Sequence, residues 1–378
     1  MLAGVLNQDQ VRRLLIDYDP PGIKSTDAIL TNPDPSSIDL PLGAEYWEMP
    51  ASCRPRKKYA VSDLIQKHKI RQHELTDETI FHPHKVYIVR LAWDLELPDE
   101  ICARSTAKSS IGRLDVLVRL LADHHPEFDK VDAGGKTNLY VEVAPITFSV
   151  KVRPGIALSQ MRFMRGTEEL CTVTPPALKY EETPVLVLRD GSKVNLSSAQ
   201  GDSNAVLLSL DLSDDPELGF VGFVAKEHTD MAIDPTVRKP KDGGEDRRLD
   251  PKLFWQPVLA DQEVVTIERD RFYIFRSTER FRIPPHLSVE CQAYSESLGD
   301  IRIHYAGFAH PFFGYDRSNG TPLIFEVRGH SVNTILSSED VLAKVYFRRM
   351  SASASADAEQ AYNAQELQLS ACFKEWQE

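Results

Sequence analysis

The sequence predicts a mainly β protein, built from two tandem copies of one barrel- or sandwich-like domain with few short helices. Three observations carry this reading. Strand-like segments are short and frequent, and turn residues bound them, with 24 prolines and 19 glycines in 378 residues. The segments "KVYIVRLAWDLELP", "NLYVEVAPITFSVKV" and "IALSQMRFM" mix β-branched and aromatic residues in partial alternation. One half of the chain can also be laid on the other.

The elements follow in order. "GVLNQDQVRRLLIDYDPP" reads as a helix over about 7–17, capped near Asn7 and ended before Pro20. It lacks the apolar core and small-residue cleavage site of a signal peptide. Further helices are expected over about 61–68 and about 113–122, with strands elsewhere. "LVLRDGSKVNLSSAQGDSNAV" has the Gly, Ser and Asp of a linker, so the two copies are set at 1–190 and 200–378. "VRKPKDGGEDRRLDPK" (237–252) reads as a long surface loop. "MSASASADAEQA" (350–361) is low in complexity and has no apolar stripe, so residues from about 351 to 361 are expected to be loose. Beyond it Leu367, Leu369, Phe373 and Trp376 could dock.

The repeat is the most informative feature. Tyr87 meets Tyr273 and Pro98 meets Pro284, both 186 residues on. After a one-residue gap Ser110, Gly112 and Val116 meet Ser297, Gly299 and Ile303. Glu142 in "LYVEV" meets Glu326 in "LIFEV", and Phe163 meets Phe347, both 184 residues on. Upstream, "SIDL" (37–40) matches "SLDL" (209–212).

Composition excludes several classes. The net charge of −12 argues against a nucleic-acid or anionic-membrane binder, which needs a broad basic face. A small phosphorylated ligand needs only a local basic pocket. No apolar run approaches the roughly 20 residues that span a bilayer. The five cysteines are scattered and odd in number, so neither a disulfide framework nor a C-x-x-C knuckle follows, and a reduced, cytoplasmic chain is expected.

Three places carry candidate chemistry. In "TAKSSIGRLDV" (106–116), Lys108, Ser109, Ser110 and Arg113 gather cationic and hydroxyl donors suited to an anion, at a helix N-terminus if 111 onward is helical. The plainer alternative is a helix cap with two exposed cations. Glu142 shares a strand face with Tyr140, opposite to Val141 and Val143, and a half-buried carboxylate there could serve proton transfer; an outward, solvated Glu is the alternative. Asp132, in the turn "KVDAGGKTN", either caps its own backbone or meets a ligand hydroxyl.

Together the pieces resemble the dCTP deaminase family, in its fused, double-length bacterial form. The resemblance rests on "PSSIDLPLG" (35–43), "AKSSIGRLDV" (107–116), Asp132 ten residues before Glu142, and "VRPGIALSQMRF" (152–163). "GVLNQDQVRRLL", "AGFAHPFFG" (306–314) and the tail "YNAQELQLS" (362–370) are similar to further family motifs. It implies a tandem dUTPase-like, β-clip-like fold and hydrolytic deamination of dCTP to dUTP and ammonia. It assigns Lys108, Ser109, Ser110 and Arg113 to the triphosphate and to base or water contacts, and Asp132 to the 3′-hydroxyl. Tyr140 and Val141 would meet the pyrimidine through backbone groups. Glu142 would shuttle protons, and Gln365, with Tyr362 nearby, would close over the phosphates. Glu326 is its second-copy counterpart.

The same resemblance implies dCTP and dUTP as ligands, dTTP as a candidate inhibitor and a homo-oligomer, with a homotrimer favoured. No nucleic-acid or membrane partner is expected. The zinc deaminase set H-x-E and P-C-x-x-C is missing, so no zinc is expected and Mg²⁺ would arrive only on the triphosphate. There are departures. The family's Pro-Gly-aromatic after the turn Asp is here Ala133-Gly134-Gly135. In copy two, Asp300 stands for Arg113 and His310 for Asp132, which favours one working site per chain. The competing readings are a dUTP diphosphatase, a bifunctional deaminase–diphosphatase, and a non-catalytic nucleotide-binding module.

Overall fold

The computed structural model describes residues 2–17, 23–24, 33–179, 181–196, 204–227, 229–293, 301–303, 307–338, 340–355 and 365–377. The chain forms two compact units. Unit 1 takes Met1–Cys171, Asp230–Val237 and Met350–Ser355; unit 2 takes Thr172–Thr229, Arg238–Arg349 and Ala356–Glu378. The boundary expected at 190–200 thus moves to 171/172, and unit 1 recruits two pieces of the second half. Backbone pairing holds them there. Ile233 bridges Val150 and Met350 bridges Val5. Arg153 grips Asp234 at 3.0 Å, and the Asn7 amide donates to the Ser353 carbonyl at 2.8 Å.

Unit 1 is built on strands β1 (Ile38–Met49), β2 (Val86–Glu96), β3 (Ile101–Ala107), β4 (Val116–Ala122), β5 (Lys130–Val131), β6 (Lys136–Pro145) and β7 (Ala157–Arg165). Their antiparallel order is β4-β6-β2-β1-β7-β3-β5. Unit 2 uses β8 (Val206–Asp211), β9 (Phe272–Phe281), β10 (Leu287–Ala293), β11 (Ile301–Ile303), β12 (Phe308–Ala309), β13 (Thr321–Gly329) and β14 (Val341–Arg349). Its order, β11-β13-β9-β8-β14-β10-β12, is the same path.

The register is repeated as well. Val143 pairs with Tyr87 and Glu142 with Ile88; Val327 pairs with Tyr273 and Glu326 with Ile274. Phe163 lies opposite Ala103, as Phe347 lies opposite Val289. Asp132 follows Val131, the partner of Ala103, and His310 follows Ala309, the partner of Val289. Two details of the sequence alignment shift. Ile38 pairs with Met161 and Val206 with Val345, so residues 205–208, not "SLDL", stand where "SIDL" does. Val118 pairs with Val143 and Ile303 with Val327, so Ile303 answers to Val118 rather than Val116.

Helices are few. α1 (Gln8–Arg12) carries a capping box between Asn7 and Gln10 and continues into a π turn to Asp17. α2 (Val61–His68) buries Val61, Leu64 and Ile65 against the sheet side. The helix expected over 113–122 is instead β4. Only α3 (Ser109–Gly112) is helical there, and Asp115, at φ 56°, turns the chain out of it. Burial decides the outcome. Val116, Val118, Leu120 and Leu121 are all within 2% exposure, each stabilising by about 1.5–3 kcal/mol. Helix propensity differs by less than about 0.7 kcal/mol per ordinary residue, so packing wins.

The second half holds its tail and loop firmly. Leu367, Leu369 and Phe373 are buried, and Phe373 meets Trp255 edge-on with centroids 6.2 Å apart. Arg248, in the stretch expected to be a surface loop, is buried and bonds Asp246, Glu375 and the Phe373 carbonyl. Ser351 donates to the Val5 carbonyl at 2.8 Å, so 351–355 is docked; residues 356–361 lie outside the described residues.

Candidate active site

The site is organised by β6, which lies between β2 and β4. Leu139 to Val143 are all buried, so the simple alternation expected around Glu142 is replaced by a strand covered on both faces. Register slips against β2 between Asn138 and Tyr140. Such a bulge leaves a residue out of the ladder, and the Leu139 carbonyl takes Arg90 Nη1 at 3.1 Å. The same guanidinium lies 4.9 Å from the Tyr140 ring centre. Burial raises the Tyr140 phenol above its ordinary pKa. Val141 is fully buried.

Glu142 is 1% exposed, and donors converge on its carboxylate. Ser52 Oγ donates to Oε1 at 2.9 Å and the Cys53 N–H to Oε2 at 2.8 Å. Arg119, its ladder partner on β4, reaches Oε1 with Nη2 at 2.5 Å and Ser52 Oγ at 2.8 Å. The Arg119 guanidinium rests 4.0 Å from the Phe128 ring centre. A carboxylate removed from water is tolerable only with such pairing. Burial, followed by the nearby Glu142 charge, pushes the Cys53 thiol up. Beside this cluster opens a cleft of about 460 Å³, walled by the loop after β1 and by α2.

The other candidates lie on other elements. Lys108 caps α3 through its backbone, and its ammonium is paired with Asp39. Ser109 is half-buried, while Ser110 and Arg113 are buried at 4% and 1% exposure. Because α3 has only four residues, the helix N-terminus expected for an anion is a single turn. Asp132 is 83% exposed and meets His125 Nε2 at 3.2 Å. Gly134 and Gly135 both have positive φ, and a Cβ on Gly134 would sit 2.6 Å from Asp99 Oδ1; both conformations favour glycine, which the family pattern shares at 134 and replaces with an aromatic at 135. Gln365 is buried in unit 2, donating to the Pro322 carbonyl at 3.1 Å. Tyr362 lies outside the described residues.

Sequence reasoning missed Ser52, Cys53 and Arg119. Ser52 and Cys53 come from a loop some 90 residues away, with no spacing signal to betray them. Arg119 faces Glu142 across the β4–β6 ladder, a pairing that the helical reading of 113–122 hides.

The repeated seven-strand path, with a buried glutamate at the same register point of each copy, defines a tandem-duplicated, mainly β protein. Family models narrow it. Residues 2–167 match the 2′-deoxycytidine 5′-triphosphate deaminase N-terminal domain and residues 182–373 the corresponding C-terminal domain. The chain belongs to the dCTP deaminase family. A solved dCTP deaminase from Agrobacterium tumefaciens aligns at a TM-score of 0.80 and 30% identity, covering 94% of this chain and all of that one. A dCTP deaminase of Natronomonas pharaonis is 26% identical over 164 residues, 42% of this chain and 79% of that protein. A protein of Nocardioides sp., named dCTP deaminase, dUMP-forming, is 31% identical over 134 residues, 35% of this chain and 65% of that protein. No helix among the described residues is long and apolar enough to cross a membrane.

Proposed function

We propose that this chain deaminates dCTP to dUTP and ammonia, with the chemistry in unit 1. The observation that carries the reading is Glu142, a buried carboxylate held by aimed donors in a domain of this family. Water loses a proton to Glu142 and attacks C4 of the pyrimidine, and Glu142 passes that proton to N3, where it stays. Glu142 then takes the proton of the new C4 hydroxyl and gives it to the amine, which leaves as ammonia while the C4 carbonyl forms. One well-placed carboxylate can carry both transfers. Since Ser52 and the Cys53 N–H occupy its two oxygens, the exposed Ser52 loop yields as substrate arrives.

Ser109, Ser110 and Arg113, with Lys108, take the triphosphate, and Mg²⁺ enters only on its oxygens. Asp132 takes the 3′-hydroxyl, and backbone groups at Tyr140 and Val141 meet the base. Gln365 can reach the phosphates only by leaving its seat on the Pro322 carbonyl. Two fused units cannot close a threefold ring alone, whereas three chains supply six units, so the reading includes a homotrimer. A cytoplasmic setting suits the scattered, odd-numbered cysteines.

Product identity tests the function. Incubation with dCTP should release ammonia and dUTP, and a zinc chelator should leave the rate unchanged. Pyrophosphate and dUMP as products would select the bifunctional reading, which is favoured by the dUMP-forming relatives and opposed by the Ala133-Gly134-Gly135 turn. Binding without turnover would leave a nucleotide-binding module.

A further inference from the structure

The cleft beside Glu142 is basic in a chain of net charge −12. Arg54 and Arg56 project from the loop after β1, and Lys67 and His68 from α2; Asp63 is the one carboxylate among its lining residues. Arg54, Arg56 and Lys67 are exposed, and none forms an ion pair among the described residues. Elsewhere in unit 1 arginines are answered by acids: Arg90 by Asp94, Arg104 by Glu168, Arg165 by Glu100. Three cations left unanswered around one concavity focus a positive potential into it. Its volume of about 460 Å³ falls in the range of small-ligand sites, roughly 300–1,000 Å³.

The geometry points to a second anion site here, apart from the 108–113 cluster, for a small molecule carrying two or more adjacent phosphates. Guanidinium forks match phosphate oxygens in pairs, and two of them on one loop suit a polyphosphate better than a single carboxylate. The loop is also a lever. Ser52 and Cys53 hold Glu142, and Arg54 is the next residue. An anion that anchors Arg54 and Arg56 fixes the segment that grips the shuttle. This coupling rests on the reading of Glu142 given above; the binding does not.

Pyrophosphate, titrated calorimetrically into the full chain at low salt, is the probe. In an R113A background, which disables the 108–113 cluster, the remaining binding should weaken about tenfold or more when R54A/R56A is added, as expected for two lost charge-assisted contacts. In the unaltered chain pyrophosphate should slow alkylation of Cys53, which lines the cleft, without slowing Cys102, the other half-buried thiol. No binding in R113A, binding in R113A that R54A/R56A leaves unaffected, or unchanged Cys53 alkylation would each overturn the proposal. None of these readouts involves turnover, so a failed deamination assay leaves them interpretable.

Discussion

Glu142 and Glu326 stand at the same point of two equivalent sheets, yet the mouths around them have diverged. In unit 1, Arg90 pairs with Asp94 across the β6 bulge, lies against Tyr140 and keeps its side chain 24% exposed. In unit 2 the bulge recurs between Arg276 and Arg280, and Asp94 has become Arg280. Both arginines are sealed. Arg276 is fully buried, bonding Asp211 at 2.7 Å and Asp215 at 2.5 Å. Arg280 bonds the Asn319 carbonyl at 2.6 Å and Glu366 of the tail at 2.9 Å. Asn138 has become Pro322, whose carbonyl receives Gln365. Unit 2 has kept the scaffold and closed its hairpin with its own carboxylates and tail. Duplication preserved what builds the sheet and released what lines its opening.

The sharpest way to break this comparison is catalytic. Glu142→Gln keeps the shape and removes proton transfer, so ammonia release should fall by roughly 10²–10⁴-fold. Glu326→Gln should leave it at the level of the unaltered chain. Equal loss in both would show that the second mouth also works.

The next test reads stability. Arg276→Ala strands two carboxylates and should cost about 3–5 kcal/mol in denaturant unfolding. Arg90→Ala, at the equivalent and partly solvated position, should cost about 1 kcal/mol or less. Similar costs would mean that the two mouths are equally closed.

The smallest effect concerns pH. Burial lifts Asp129 to about 7 from 3.8, against the hydrogen bond it accepts from the Leu120 N–H. Its place in unit 2 is taken by Gly307: Ser105 donates to the Asp129 carbonyl as Cys291 does to that of Gly307. Because the folded value is raised, the folded chain holds this proton longer. The stabilisation is complete below pH 3.8 and is lost as pH climbs through about 7. Asp34, lifted to about 6 mainly by burial, acts in the same sense. Asp129→Asn should therefore flatten the fall in melting temperature between pH 5 and 8, by roughly 2–4 °C. An unaltered slope would remove Asp129 as its source.

Much of the fold was legible because duplication printed it twice. The offsets at Tyr87, Glu142 and Phe163 reappear as ladder partners, which local similarity between two β-rich stretches would not produce. The 113–122 stretch was misread because leucine-rich segments satisfy helix and strand patterns alike, and only the sheet's demand for buried surface decides between them. Glu142 stood out through the family resemblance, ten residues after Asp132, with only slight support from its repeat at 326. Its partners did not, since Ser52 and Cys53 reach it from an irregular loop that tertiary packing alone brings near. Gln365 was legible as a tail residue. Its seat on Pro322 depends on how the chain returns to its own second half.

The exchange of segments gives the fusion a one-way character. Unit 1 borrows 230–237 and 350–355 from sequence that follows its own end at 171. A fragment stopping near residue 190 would keep Arg153 without Asp234, Asn7 without the Ser353 carbonyl, and Val5 and Val150 without their bridge partners. A stop codon in the second half would injure the first.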